Sequence, residues 1–353
     1  ALDDSLAEAH TSLAGIITLI ERDVEKAERL LRRAIQLDPA NALSHANLAI
    51  LLVATGRRDE ALETIRAALA LNPLSPRLVL YYAHCLFASK QYIWAADQAR
   101  KAIELDPESD IAWWTLWFSH AAVWDWERGE AVLREMVERH PTNPLAWVFY
   151  SVSVQTNGRV QEGVDLLEKA LALPGFADNS RNVFQTATNL AFAGDYERAL
   201  ELLDAGLKRW PKHEGLLMIR AFCYFLLNRY DDALQELETL DPWIGEWEAY
   251  VPRLRGRIYA ARGEVGRAEA ELRKLMEGGE LRNRRICIAY LLAGLGRIEE
   301  SIDWFEKAAD IHEFHIATIR NMPTAPQELR DHPRFQAFMR RVGLADTLGD
   351  PRD

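Results

Sequence analysis

Four prolines, Pro39, Pro73, Pro107 and Pro141, stand 34 residues apart, and the residues before them are nearly the same each time. Ala34-Ile35-Gln36-Leu37-Asp38 precedes the first, Ala68-Leu69-Ala70-Leu71-Asn72 the second and Ala102-Ile103-Glu104-Leu105-Asp106 the third. No other feature constrains the chain as tightly. A unit of this length is one supersecondary element that cannot bury its apolar face alone, so successive units must stack. Each proline stops an amphipathic helix, because its ring clashes with the preceding turn and it offers no N–H. Between prolines lies a second landmark, a short turn such as Ala54-Thr55-Gly56-Arg57-Arg58-Asp59-Glu60-Ala61. Glycine there can take a positive φ and close the first helix of the pair. The alanine that follows lets the two helices approach closely.

Later units drift but keep this skeleton. Gly158, Gly194, Asn228, Gly263 and Gly296 each mark an interhelical turn. Ala199, Ala233 and Ala268 hold the close-approach position, with Gly163 and Ser301 taking that place elsewhere. Each helix carries apolar residues at i, i+3, i+4 and i+7, a core-facing stripe. A length of 353 residues would ordinarily suggest two domains. A repeat array overrides that, because each unit packs on its neighbours alone. The expected organisation is a remnant of a preceding repeat at 1–6, nine tandem helix pairs over 7–310, and capping helices with a tail over 311–353. Ala1-Leu2-Asp3-Asp4 is in register with Ile35-Gln36-Leu37-Asp38. This reads as the end of a unit, and a chain that begins mid-repeat.

Charge and cysteine content narrow the function classes. Lys and Arg total 42 against 53 Asp and Glu, a net charge of -11. Such a surface repels a phosphate backbone, so no direct nucleic-acid contact is expected. No run of 18 apolar residues occurs, and no membrane span is expected. Cys85, Cys223 and Cys287 lie far apart in apolar stretches, which reads as small buried hydrophobes, with no disulfide framework and no metal site. A cytoplasmic location follows. Catalytic motifs are missing as well. His312 and His315 are three apart, whereas a zinc-protease helix needs four. Gly294-Leu295-Gly296 has no preceding strand and reads as a repeat turn, not a dinucleotide loop. No cofactor is expected, and the chain reads as non-catalytic.

The repeat resembles the tetratricopeptide repeat, with its pattern W-x2-L-G-x2-Y, then A-x3-F, then P. Trp113, Leu116 and Pro141 match it in the fourth unit, and Gly194, Tyr196, Ala199, Leu203 and Pro211 in the sixth. His10 and His45 replace the first tryptophan, and Arg220 and Arg255 occupy a normally apolar site, which predicts altered packing in units seven and eight. The resemblance implies an all-α, right-handed superhelical solenoid of tandem helix–turn–helix repeats. It also implies that first helices line a concave groove that takes a protein or peptide ligand. Alignment then places Tyr81, His84, Phe87, Trp114, Phe118, Phe149, Gln155, Phe184, Gln185, Met218, Phe222, Phe225, Arg253, Arg257 and Tyr290 in that groove. Its middle is aromatic and apolar, and the stretch at Arg253 and Arg257 is cationic. The Lys and Asn set that clamps a C-terminal carboxylate in chaperone-binding members is missing.

Trp113 and Trp117 share one helical face and read as core, whereas Trp124 and Trp126 fall in a turn where glycine normally stands. Their bulk suits either cover for a neighbouring unit or an interface with another domain or protomer. At the other end, Leu329-Arg330-Asp331-His332-Pro333-Arg334-Phe335 leads into Phe338-Met339-Arg340-Arg341-Val342-Gly343-Leu344. Pro333 suits a first helical turn and Gly343 a stop. Phe335, Phe338, Met339 and Val342 form one stripe that would seal the last repeat. This ending resembles that of tetratricopeptide sensor segments in bacterial winged-helix regulators and nucleotidyl cyclases, which implies an output domain fused on the N-terminal side. The functional expectation is a protein- or peptide-binding sensory segment that receives an apolar stretch in its groove. The alternative is a stand-alone scaffold that assembles a complex through its convex face and the Trp124/Trp126 edge; an oligomer is compatible with either.

Overall fold

The computed structural model describes residues 6–18, 23–240, 249–277, 284–311 and 325–344. Among them are twenty α-helices in tandem and no strand, an all-α solenoid as the period requires. The expected remnant at 1–6 lies almost wholly outside the described residues, as do His312 and His315. The chain divides into two compact units, 1–123 and 124–353.

The first unit holds α1 (Ala7–Ile16), α2 (Val24–Leu37), α3 (Ala42–Ala54), α4 (Arg58–Leu71), α5 (Pro76–Ala88), α6 (Tyr92–Leu105) and α7 (Asp110–Ala121). Each helix packs on the next, and α1, α3, α5 and α7 also touch in sequence, so the first helices form a layer of their own. Ala27, Ala61 and Ala95, 34 residues apart, are fully buried where helices come closest. Two residues after each proline a polar side chain caps the next helix. Asn41 Oδ1 accepts from the Leu43 and Ser44 amides, Ser75 Oγ from Leu78, and Ser109 Oγ from Ala112. The substitution of His45 for tryptophan keeps the bond that matters locally. Its Nε2 lies 3.0 Å from Pro39 O, and Trp113 Nε1 donates to Pro107 O at 2.9 Å.

The second unit holds α8 (Trp126–Arg139), α9 (Pro144–Thr156), α10 (Val160–Leu171), α11 (Ser180–Phe192), α12 (Tyr196–Arg209), α13 (Glu214–Leu226) and α14 (Tyr230–Thr239). It continues with α15 (Tyr250–Ala261), α16 (Val265–Glu277), α17 (Arg284–Gly294), α18 (Ile298–Asp310), α19 (Gln327–Asp331) and α20 (Pro333–Arg341). Here too α9, α11, α13, α15 and α17 touch in sequence. At the C-terminal end Phe335, Phe338, Met339 and Val342 are buried, with the Phe335 ring 5.5 Å from that of Phe305 on α18.

One backbone position recurs through both units. Gly56, Lys90, Trp124, Gly158, Gly194, Asn228, Gly263 and Gly296 all have positive φ and all sit in interhelical turns. Glycine takes that conformation without strain, whereas a side chain at Lys90, Trp124 or Asn228 costs roughly 1 kcal/mol.

Candidate ligand-binding surfaces

In the first unit α5 and α7 place half-buried rings side by side. Phe87 and Phe118 meet edge-on at 6.3 Å, Trp114 meets Phe118 at 4.8 Å, and Trp114 stacks on the buried Trp117 at 4.6 Å. Tyr81 stacks on His84 at 6.4 Å, and His84 Nε2 lies 3.0 Å from Thr115 Oγ1, which ties the two helices together. His84 and Phe118 occupy the same place in successive units, 34 residues apart. Tyr81, His84, Phe87, Trp114 and Phe118 therefore form one continuous, half-exposed aromatic surface. Aromatic rings in that setting supply large apolar area at little entropic cost.

The second unit treats the residues expected in its groove differently. Phe184 and Gln185 on α11 are half-buried, but Phe149, Gln155, Met218, Phe222 and Phe225 are buried. These five belong to the packing of the array, which corrects the expectation that they face a ligand. Gln155 shows why. Its amide donates to Ser151 Oγ at 3.1 Å, and its Cγ would stand 2.3 Å from a Cβ added at Gly163. The missing side chain at Gly163 makes room for Gln155, and Ser151 Oγ in turn donates to Gly163 O at 2.8 Å.

Arg253, Arg257 and Tyr290 are buried as well, and so form no open cationic groove. Arg253 lies 4.8 Å from the centre of the Tyr250 ring and 5.8 Å from that of Tyr290, and Arg257 5.0 Å from that of Phe225. Burial, reinforced by the Arg253 charge, pulls the Arg257 guanidinium below its ordinary proton affinity, and burial pushes the Tyr290 phenol up.

Trp124 and Trp126, which suited either cover for a neighbouring unit or an interface with another domain or protomer, pack against the C-terminal helices of the same unit. Trp126 Nε1 donates to Val342 O at 3.0 Å, and its indole lies 3.1 Å from where a Cβ on Gly343 would stand. The occupant of this edge is the chain's own end.

Comparison with known proteins adds the family. A tetratricopeptide-repeat model matches residues 19–77 and 191–258, and a second tetratricopeptide model matches 288–313. The chain carries tetratricopeptide repeats. It is 25% identical to anaphase-promoting complex subunit 3 of Schizosaccharomyces pombe over 248 residues, 67% of this chain and 35% of that protein. It is 26% identical to small glutamine-rich tetratricopeptide repeat-containing protein 2 of Mycosarcoma maydis over 110 residues, 31% of each. The chain thus spans about a third of the length of the curated relatives it matches. A human IFIT1 dimer solved with PPP-AAAA shares the fold, with a TM-score of 0.53 at 17% identity, over 98% of this chain and 92% of that one.

Three features of these tetratricopeptide repeats were not drawn from the sequence. Arg220, which breaks the repeat pattern, donates through Nε to Glu236 at 2.8 Å and through a terminal nitrogen to Asp204 at 2.8 Å. Arg255 lies 3.8 Å from Glu271, and the buried Glu236 and Glu271 each stand sixteen residues beyond their arginine. Packing in units seven and eight is thus altered by a buried carboxylate, not disrupted. Arginines in or beside the interhelical turns also bridge successive repeats: Arg57 reaches Glu28 at 2.7 Å and Arg297 reaches Glu269 at 3.1 Å, while Arg159, Arg198 and Arg262 reach Glu130, Glu168 and Asp231. Finally, Ile93 is 72% and Trp94 62% exposed at the start of α6. All three cysteines are buried, and burial pushes the Cys85 and Cys223 thiols up to about 12, which removes them as nucleophiles. Among the described residues no group of three or more His, Cys, Asp or Glu could hold a metal, and no helix is long and apolar enough to cross a membrane.

Proposed function

We propose that this chain is a non-catalytic protein-interaction module that receives an apolar peptide segment on the first-helix face of α5 and α7. The observation that carries this reading is the aromatic surface of Tyr81, His84, Phe87, Trp114 and Phe118, continuous across α5 and α7 and partly open to solvent. Clustered exposed rings of this kind mark interaction sites more often than solvated surface. The bound segment lays its apolar side chains against Trp114 and Phe118, and Tyr81 and His84 offer polar edges beside them. Phe184 and Gln185 are a second, smaller contact site in the other unit. The ending of the chain supports placing the module in a larger bacterial signalling or transcription protein, in the cytoplasm, as its sensory segment. A ligand then acts on an attached output domain by binding one arrangement of the repeats more tightly than another.

The test uses peptides selected against the wild-type chain from a displayed random library. Trp114→Ala with Phe118→Ala should weaken their binding by about a thousandfold, since each central aromatic anchor contributes about 2 kcal/mol. Binding within about twofold of wild type, in a double variant of unchanged helicity, would remove this surface from the function. The exposed pair Ile93 and Trp94 supports a second reading, a scaffold that docks a partner on its second-helix face. Trp94→Ala should then weaken partner association and leave peptide binding unchanged.

A further inference from the structure

The second contact site, at Phe184 and Gln185, lies at an edge whose charge runs against that of the chain. The protein carries a net charge of -11, yet Arg181 and Lys212 are both exposed here, and neither forms an ion pair among the described residues. Arg209 holds the end of α12 against the start of α11, with Nη1 3.2 Å from Ala177 O and 2.6 Å from Asp178 Oδ1. The Phe184 ring, one turn beyond Arg181, lies 6.4 Å from that of His213. Gly215 makes room for the pair, since a Cβ there would stand 3.0 Å from Phe184 and 3.3 Å from His213.

His213 fixes the position of its own hydrogen. The Leu216 amide donates to Nδ1 at 3.3 Å, so that nitrogen supplies a lone pair and the ring hydrogen sits on Nε2. Nε2–H has no acceptor among the described residues, and the Gln185 amide has no hydrogen-bond partner among them. Both α11 and α13 begin at this edge, so their partial positive ends add to the charge of Arg181 and Lys212. Of the carboxylates nearby, Asp178 is taken by Arg209, and Glu214 stands in the first turn of α13. Cations and N–H donors thus surround a half-buried ring, and the acceptor is left to a ligand.

We infer that this edge receives a side-chain carboxylate, Asp or Glu, on a peptide segment that lays a neighbouring apolar residue against Phe184. Arg181 and Lys212 supply the charge, and His213 Nε2–H supplies a directed hydrogen bond. The lysine and asparagine set that clamps a chain terminus is missing, so the carboxylate is a side chain's. The inference rests on the reading of Phe184 and Gln185 as a contact site, and it names what that site selects.

The experiment uses the full chain carrying Trp114→Ala and Phe118→Ala, which removes the α5 and α7 surface as a competitor. Random peptides displayed between fixed flanks, with no free end, are selected against it. Asp or Glu beside a large apolar residue should be enriched. An enriched peptide, synthesised with acetyl and amide ends, is then titrated by fluorescence anisotropy. Replacing its acidic residue by the matching amide should weaken binding by about tenfold. Arg181→Gln with Lys212→Gln, at unchanged helical circular dichroism, should cost the acidic peptide about tenfold and the amide peptide nothing. His213→Asn keeps a capping side chain but loses Nε2–H, and should weaken the acidic peptide by about threefold. Added salt should weaken the acidic peptide alone. Enrichment of apolar peptides without an acidic residue would overturn the carboxylate and leave Phe184 and Gln185 as a contact site. No enrichment at all would overturn both. An equal loss for acidic and amide peptides in the double variant would also overturn the inference, because a charge pair cannot act on an amide.

Discussion

Lys90 and Trp124 occupy the same turn position in successive repeats and share almost the same backbone, φ 59 and φ 61, yet the two units use them in opposite ways. In the first unit the lysine points into solvent. In the second the tryptophan covers the C-terminal helices, beside Trp126 and its bond to Val342. The same contrast runs along the first helices. At the expected groove positions the rings of α5 and α7 are half-exposed, whereas Phe149 of α9, Phe222 and Phe225 of α13 and Tyr290 of α17 are buried. Position in the repeat thus sets the backbone and the neighbours set the role. The first unit leaves aromatic area half-exposed. The second has spent its own on closing itself.

Four changes probe that contrast. The largest effect belongs to the end of the second unit. Phe305→Ala empties a fully buried site among Tyr290, Phe335 and Phe338 and should cost about 3–5 kcal/mol. Hydrogen exchange should then show lost protection over 284–344 with little change over 42–121; equal loss in both would merge the two units energetically. Next, Glu236→Ala leaves Arg220 with Asp204 alone. A loss of about 2 kcal/mol is expected, short of that for a fully buried pair because Arg220 keeps some exposure. Urea denaturation would measure it, and a neutral result would make the pair dispensable.

The turn position itself gives the sharpest comparison. Lys90→Gly should stabilise by about 0.5–1 kcal/mol, since it releases left-handed strain and removes no packing. Trp124→Gly releases the same strain but strips an indole from the cap, and should destabilise by about 1 kcal/mol or more. Changes of the same sign in calorimetry would abolish the distinction. The smallest effect is electrostatic. Hydrogen bonds from Arg57 hold the Glu28 carboxyl, and those from Arg32 the Glu60 carboxyl, below the ordinary value of 4.5. A depressed carboxylate lends stability above its unfolded pKa and loses it as pH falls through the folded one. The melting temperature should therefore begin to drop as pH passes below about 4.5. Glu28→Gln should flatten that drop slightly, and an unchanged acid limb would show the surface ladder to be inert.

The fold was legible because a 34-residue period admits few packings, and five of the eight positive-φ turn positions named above carry the glycine that marks them. The candidate surface was half legible. Register says that His84, Phe118, Phe149 and Phe222 belong to first helices, but exposure depends on the neighbouring helix. Gln155 is an example, since only the geometry shows that it fills the gap over Gly163. The equal sixteen-residue spacing of Arg220 to Glu236 and Arg255 to Glu271 was readable and would have resolved the apparent conflict in those repeats. The docking of Trp126 on Val342 was not, because no local pattern reports a contact 216 residues away.

That contact also bears on how the second unit could be rewired. The Trp124 carbonyl oxygen lies 3.7 Å from where a Cβ on Gly343 would stand, so the start and the end of the unit are adjacent in space. Most of its remaining contacts are between neighbouring helices, which an array can re-form in any order. Residue 344 could therefore be spliced to residue 124 through a linker of a few residues, with new termini opened at an exposed turn such as Gly263. A linear stack of repeats has two distant ends and permits no such splice.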